Sequence, residues 1–386
     1  MTRQRIKRWL ALLVIHIFNY FPIKKNKVIL FSYYGSQYGC NPKYITEDLL
    51  KHTEEDRFDI VWAVHDRASK QLPDQVRQVK MMSLRYFYEL CTAKIIITNY
   101  RMTDLFVKRN SQYYIQTWHS SLRLKQIEKD AEDALPASYV QMAKRDSEMC
   151  DLLLSGSHDS TKIFERSFWY EGEIFEHGTP RNDLFFQKNH DQKGEVFVKL
   201  NIPSRYNILL YAPTFRKDNQ LDVYDLDYQR LIETATKKFG GEWMVLVKLH
   251  PHLIAKSSEL VYGDKVIDVT SYDDIQELLL IADILISDYS SLIFDYLFTK
   301  RPCFLYVPDM EEYTRSDRKL YFDLQELPFL SASTNQGLYE KIIDFKEDTY
   351  QKGLEDFLDR IGSYEEGMAN YYVRKRIEDV CYPPNK

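Results

Sequence analysis

The residues best able to do chemistry fall in short polar segments, each directly after an apolar run. His119, Ser120 and Ser121 follow YYIQTW, with Arg123, Lys125 and Lys129 just beyond. The segment HGTPRND, His177 to Asp183, holds Arg181 and Asn182. Thr214 and Arg216 follow ILLYA, and Lys248, His250 and His252 close MVLVKLHPH. Asp288, Tyr289, Ser290 and Ser291 follow ILIS, and Asp309 and Tyr313 follow CFLY. Arginine, lysine and serine hydroxyls bind phosphate oxygens, and imidazole exchanges protons near neutral pH. The set fits an anionic, phosphate-bearing ligand and proton transfer from a hydroxyl. Singly, each has an ordinary alternative: a solvated histidine, a capping serine, a lysine stem along apolar surface. Their shared position after apolar runs carries the weight.

The stretch Asp283 to Pro302, DILISDYSSLIFDYLFTKRP, reads as a buried strand, a sharp polar turn and a helix opening on Ser290 and Ser291. N–H groups at a helix start and the positive end of its dipole favour phosphate, so this turn is a candidate phosphate cradle. Asp295 lies inside that helix. The histidines of HPH lack a third ligand at suitable spacing, so no metal site is expected, and a divalent-ion requirement stays open. No GxGxxG, GxxxxGK[ST] or GxSxG pattern is present.

Positioning these residues requires strands buried on both faces. VILFS from Val28, DIVWAV, KIIITN, YYIQTW and two short runs near Leu152 and Glu173 alternate with helical patterns. After the polar segment Gln187 to Glu195, with a boundary between Asn189 and Ser204, ILLYA, MVLVKL, Val266 to Val269, ILIS and CFLY do the same. Continuous apolar runs separated by helices predict parallel sheets with crossover helices. The expected fold is α/β: two Rossmann-like domains facing across a cleft, with an amino-terminal basic amphipathic helix and a helical carboxyl tail. The expected boundaries are 1–26 for a membrane-associating segment, 27–195 for an acceptor domain and 196–386 for a nucleotide-donor domain.

The chain of 386 residues has a net charge of −5, which gives no electrostatic footprint for nucleic acid. Its 5 cysteines are dispersed without CxxC spacing, which fits reduced thiols rather than a disulfide frame or zinc site. No acid precedes Glu47, while Lys7, Arg8, Lys24, Lys25 and Lys27 are basic. The apolar run Trp9 to Phe21 between them is short for a membrane span and lacks a signal cleavage site. An interfacial helix on anionic lipid, with Trp9, Phe18 and Phe21 at headgroup depth, is expected, against the alternative of packing on the protein's own core.

The segments QTWHSSLRLK, GTPRND, YAPTFR, VKLHPH and ISDYSSLIFDYLFTKRPCFLYVPD, in this order, resemble the CDP-glycerol glycerophosphotransferase family, which makes polyol-phosphate polymers such as teichoic acids. The resemblance runs from about Val28 to Tyr313. It implies a GT-B-like fold, a nucleotide held mainly by the second domain, and a peripheral enzyme on the cytoplasmic face acting on a lipid-linked acceptor. It places His119 and His250 at essential positions, and Ser290, Ser291 and Arg181 at motif positions. The family's Gly-Thr-Pro after the first histidine is Ser120-Ser121-Leu122 here. Larger polymerases of the family carry extra amino-terminal sequence, so a primase or short-chain transferase is the expectation.

The resulting expectation is transfer of glycerol phosphate from CDP-glycerol, or a related CDP-alditol, to an acceptor hydroxyl with release of CMP. His119 is the general base, and His250 holds or protonates the diphosphate. Arg181, Asn182, Thr214, Arg216, Lys248, His252, Asp288, Tyr289, Ser290, Ser291 and Asp295 bind or brace the donor. Ser120, Ser121 and Lys125 face the acceptor. A ribitol-phosphate donor, glycosyl transfer from a nucleotide-sugar, and a non-catalytic binding module are the alternatives.

Overall fold

Val-, Ile- and Leu-rich runs bounded by polar turns form two parallel sheets in the computed structural model, which describes residues 3–67, 70–187, 190–216, 226–250, 263–316 and 318–383. The chain divides into two compact units. Unit 1 takes Met1–Ser121, Ile127–Asp183 and Tyr364–Lys386, and unit 2 takes Leu122–Gln126 and Leu184–Ser363.

In unit 1 the strands are β1 (Lys24–Phe31), β2 (Asp59–Val64), β3 (Arg77–Lys80), β4 (Ala93–Thr98), β5 (Tyr113–Gln116), β6 (Leu152–Leu154) and β7 (Glu173–Phe175). They pair in the order β3-β2-β1-β4-β5-β6-β7, every pairing parallel. Connections run outward in opposite directions from β1 and β4, which makes that pair the topological switch point. In unit 2, β8 (Tyr206–Tyr211), β9 (Glu242–Val247), β10 (Val266–Asp268), β11 (Ile284–Ser287), β12 (Cys303–Tyr306) and β13 (Leu330–Ala332) pair in the order β10-β9-β8-β11-β12-β13, again all parallel. Its switch point lies between β8 and β11. The central strands of both sheets are fully buried, as their uninterrupted apolar runs require.

Four features depart from the sequence reading. First, β1 starts at Lys24 rather than Val28, because Lys24 pairs with Ala93 before a register shift. Second, β13 was not foreseen: Leu330–Ala332 is a short, half-buried edge strand with little apolar signal. Third, the switch between units falls at Asp183/Leu184, and the end of the tail returns to unit 1. The Asp183 carboxylate draws it there by accepting from the N–H groups of Ala369 (3.1 Å) and Asn370 (2.8 Å) at the start of the Ala369–Cys381 helix. Val373, Ile377 and Cys381 of that helix join the core over Leu30 and Ile97. Fourth, Leu122–Gln126, which carries Lys125, belongs to unit 2. Leu122 and Leu124 are buried in its core, and Lys125 forms an antiparallel bridge with Leu320.

The amino-terminal helix, Arg3–Phe18, is apolar on more than one side. Ile15 is buried, and Ala11, Leu12, Val14 and Phe18 pack on the unit 1 core. Phe18 meets Tyr88 edge-on at 5.8 Å, so it faces protein and not headgroups. Ile6, Trp9, Leu10, Leu13 and Ile17 are exposed. Among the described residues no helix is long and apolar enough to cross a membrane.

A buried charge cluster fixes the sheet edge near this helix. Lys27 of β1 and Glu89 of the Leu84–Thr92 helix are both fully buried and 2.5 Å apart. Arg77 of β3 donates to Glu89 at 2.9 Å and to Asp59 of β2 at 2.7 Å. Burial alone would raise the Glu89 carboxyl, but Arg77 and Lys27 hold it at about 2. Glu89→Ala strands Lys27, and is expected to cost about 3–5 kcal/mol at neutral pH by urea denaturation. Because the folded-state value lies below the ordinary 4.5, the contribution is present above that pH. The difference between wild type and variant should shrink as pH falls from 4.5 towards 2.

Candidate active site

In unit 1 the chain leaving β5 makes a tight loop at the carboxyl edge of the sheet. Trp118 (φ 47°) and Ser120 (φ 53°) both adopt left-handed backbone, and His119 lies between them. The half-buried imidazole stacks on the Trp118 ring at 4.8 Å and 21°. Its Nδ1 lies 3.5 Å from the carbonyl of Asn99, which follows β4. His119 therefore sits beside the switch-point strand, where open parallel sheets bind ligands.

Asn41, fully buried at the start of the Cys40–His52 helix, joins this loop to the GTPRND segment. Its Nδ2 donates to the carbonyls of Thr117 (3.3 Å) and Trp118 (3.2 Å), and its Oδ1 accepts from the Arg181 N–H (3.0 Å). The buried Arg181 guanidinium reaches the Cys40 sulfur at 3.2 Å. His119 and Arg181 are thus brought into one framework. Asn182 donates to Glu365 of the tail at 3.3 Å, which also accepts from the Thr179 N–H at 3.0 Å. Ser120 and Ser121 are both buried, and the Ser121 carbonyl accepts from Ser160 at 2.5 Å. Their placement braces the loop and offers little hydroxyl surface to an acceptor.

In unit 2 the predicted residues gather at the β8/β11 switch point. Arg216 is only 4% exposed, and its Nε and Nη2 clasp Asp309 at 2.6 and 3.1 Å. Nη2 also meets Asp288 at 2.9 Å, and Nη1 donates to the Thr214 carbonyl at 2.6 Å. The Thr214 N–H donates to Asp288 at 2.7 Å. The rings of Tyr289 and Tyr313 stack at 3.9 Å, with the guanidinium 5.0 and 4.9 Å from them. Burial opposes the charge on Arg216, but Asp309 and Asp288 outweigh it and hold its pKa above the ordinary value. Burial, with Asp309 and Asp288 nearby, also keeps the Tyr289 hydroxyl protonated, and it donates to Asp309 at 3.1 Å.

Two expected phosphate ligands, Arg216 and Lys248, hold protein partners that tie loops together. The charge of Arg216 is already met by two carboxylates. Lys248 donates to the carbonyls of Thr270 (2.6 Å) and Tyr272 (2.7 Å), tying the loop after β10. His250 is exposed and lies against Phe215 at 5.4 Å. His252 lies outside the described residues. Ser290 Oγ is 3.4 Å from the Leu292 N–H, a weak capping distance. Ser291 Oγ accepts from the Leu124 N–H at 3.2 Å, which leaves its proton as a donor. The helix that follows, Leu292–Tyr296, has 5 residues, so its dipole is small, and Asp295 within it is fully buried. A groove of 690 Å³ at the carboxyl ends of β12 and β13 shares only Asp309 with this cluster. Glu311, Glu312 and Glu340 along it make it ill suited to a diphosphate.

Asn41 and Glu365 escaped the sequence reading because nothing local marks them; their partners lie far away in the chain. Asp309 was visible after CFLY, but its pairing with Arg216 was not.

A model of the family described as CDP-glycerol:poly(glycerophosphate) glycerophosphotransferase matches residues 13–379. The chain is 30% identical over 381 residues to a teichoic acid poly(glycerol phosphate) polymerase of Bacillus spizizenii, covering 95% of each chain. It is 31% identical to the polymerase of the same description from Staphylococcus epidermidis, covering 91% of this chain but 50% of that one, so it spans half of that relative. A solved structure of the wall teichoic acid polymerase TagF superposes with a TM-score of 0.85 at 30% identity, covering 98% of this chain and 94% of that one.

The Arg216 bracket makes a stability prediction. Arg216→Ala leaves the buried Asp288 and the half-buried Asp309 carboxylates facing each other and is expected to destabilise by about 3–5 kcal/mol, read as a lowered melting temperature. Arg216→Lys should recover less than half of that, because an ammonium cannot span both carboxylates as a planar fork does.

Proposed function

The chain belongs to the CDP-glycerol:poly(glycerophosphate) glycerophosphotransferase family, and we propose that it transfers glycerol phosphate from CDP-glycerol to a hydroxyl of a membrane-linked, teichoic-acid-type acceptor. The acceptor oxygen attacks the phosphorus that bears glycerol. The bond from that phosphorus to the bridging oxygen breaks, CMP leaves, and a phosphodiester forms.

One observation carries the assignment of the base. Nδ1 of His119 lies 3.5 Å from the Asn99 carbonyl, and in the tautomer with its proton on Nδ1 the lone pair on Nε2 would accept the hydroxyl proton. In unit 2, the N–H groups and hydroxyls of the Ser290-Ser291 turn and the exposed His250 receive the diphosphate. Arg216, Asp288, Thr214 and Lys248 hold the loops that present them. Residues of both units serve one reaction in this reading. It assigns no metal to the donor; assays with EDTA and with added magnesium ion test that point.

The same reading seats the enzyme on the inner membrane surface. Ile6, Trp9, Leu10, Leu13 and Ile17 form the exposed apolar face of the first helix, with Lys7, Lys24 and Lys25 exposed nearby. Apolar side chains flanked by cations fit an anionic lipid surface.

His119→Ala is expected to slow CMP release by about 100- to 10,000-fold while donor affinity stays near wild type. Wild-type turnover in that variant removes His119 as the base. A donor panel of CDP-glycerol, CDP-ribitol and UDP- and GDP-sugars, read by the nucleotide released, decides the donor; release of UDP or GDP overturns the proposal. For the membrane, Trp9→Ser with Leu13→Ser should reduce co-sedimentation with phosphatidylglycerol vesicles. Wild-type binding should itself weaken as salt rises towards 0.5 M, beyond the screening range of about 10 Å at 0.1 M.

A further inference from the structure

Behind the loop that carries His119 runs a buried hydrogen-bond chain with a defined direction. It begins at Arg101, which follows β4 and is 1% exposed. Arg101 donates to Asp146 at 3.1 Å and to Glu128 at 2.8 Å. The Asp146 carboxylate accepts from the Tyr114 hydroxyl at 3.0 Å. That hydroxyl accepts from Gln116 Nε2 at 2.9 Å. Gln116 Oε1 in turn accepts from the N–H of Trp118 at 2.9 Å. The Gln116 amide cannot be reversed: Nε2 also donates to the Tyr100 carbonyl at 2.9 Å, and reversal would set oxygen against oxygen there. A second arm is aromatic. The Arg101 guanidinium lies 3.6 Å over the Phe168 ring, Phe168 meets Trp118 edge-on at 4.9 Å, and Trp118 stacks on His119. Both arms end on Trp118, the left-handed residue immediately before His119.

We infer that Gln116, Tyr114, Asp146 and Arg101 are positioning residues for His119. They fix the backbone and ring of Trp118, and so the direction of the imidazole against the Asn99 carbonyl. Other branches of the network end on the Met102 N–H and on the Phe168 and Tyr100 carbonyls, and the branch through Tyr114 and Gln116 reaches the loop that bears the base. The inference rests on His119 being the base. A misplacement of about 1 Å at a reacting group can lower turnover about 100-fold without affecting substrate binding.

The test uses the full chain, CDP-glycerol and a lipid-linked acceptor, with CMP release as readout. Gln116→Met keeps the volume and loses both hydrogen-bonding ends. Tyr114→Phe removes a single hydroxyl and guards against loss of fold in the first variant. Gln116→Met is expected to lower kcat by about 10- to 100-fold with donor KM within about two-fold of wild type. Tyr114→Phe should lose less. In a His119→Ala background, followed by single-turnover CMP release, Gln116→Met should cause no further loss, since both act through one group. An unchanged kcat in Gln116→Met and Tyr114→Phe overturns the inference, and so does an equal further loss in the His119→Ala background. Should His119→Ala alone retain wild-type turnover, the base assignment fails first, a result distinct from either of these.

Discussion

Left-handed backbone on both sides of His119 is the constraint on which unit 1 depends. For a non-glycine residue that conformation costs about 1–2 kcal/mol, so Trp118 and Ser120 hold it only because their surroundings over-determine the loop. The Thr117 N–H donates to the Thr98 carbonyl at the end of β4. Asn41 takes the carbonyls of Thr117 and Trp118, and Ser157 and Ser160 take that of Ser121. Gly156 comes so close that a Cβ there would meet the Ser121 Cα at 2.7 Å and the Thr179 hydroxyl at 2.6 Å. A side chain at 156 would push apart the two segments that carry His119 and Arg181. The loop is therefore held from β4, from two helix starts and from the GTPRND segment.

Unit 2 solves the same problem with the same chemistry. Arg101 follows a switch-point strand in unit 1, and Arg216 follows one in unit 2. Each is buried, each bridges two carboxylates from distant segments, and each lies over aromatic rings. A planar fork of five donors can satisfy two carboxylates at fixed angles, which a flexible ammonium cannot. Leaving out any one partner would strand a charge in low dielectric, so the whole set forms or none does. Such sets fix loop geometry more firmly than apolar contacts, because hydrogen bonds constrain direction as well as distance.

The sequence revealed most of the sheets, because strands buried on both faces must be continuous apolar runs. That logic stops at β13, where half-exposed Leu330–Ala332 gives no such run. At the strand ends Thr214, Arg216 and Asp288 converge, and His119 lies beside a switch-point strand. What the sequence could not show is which charges are already matched. Arg216 and Asp309 stand 93 residues apart, and Asp183 meets Asn370 across 187. Nothing in the local pattern of APTFR distinguishes an arginine that binds substrate from one that braces a loop. Lys125 is a similar case. Its segment looks like part of the first domain by position, yet Leu122 and Leu124 carry it into the unit 2 core.

The matching of those charges changes how a diphosphate can be held. An arginine neutralised by two carboxylates adds no net positive field, and Lys248 spends its hydrogen bonds on the Thr270 and Tyr272 carbonyls. Around Arg216, Asp288 and Asp309 the formal charge is net negative, which repels phosphate unless neutral donors stand in front of it. The Asp288–Ser291 turn provides them: backbone N–H groups and two hydroxyls, one already oriented by the Leu124 N–H. Neutral, fixed dipoles bind an anion without the desolvation cost of a bare cation, and they lose little when product leaves. Among the described residues of the predicted set, His250, beside Phe215, is a titratable group exposed at this edge. In the proposed reaction, an imidazole there would suit proton transfer to the departing CMP phosphate better than an always-charged guanidinium.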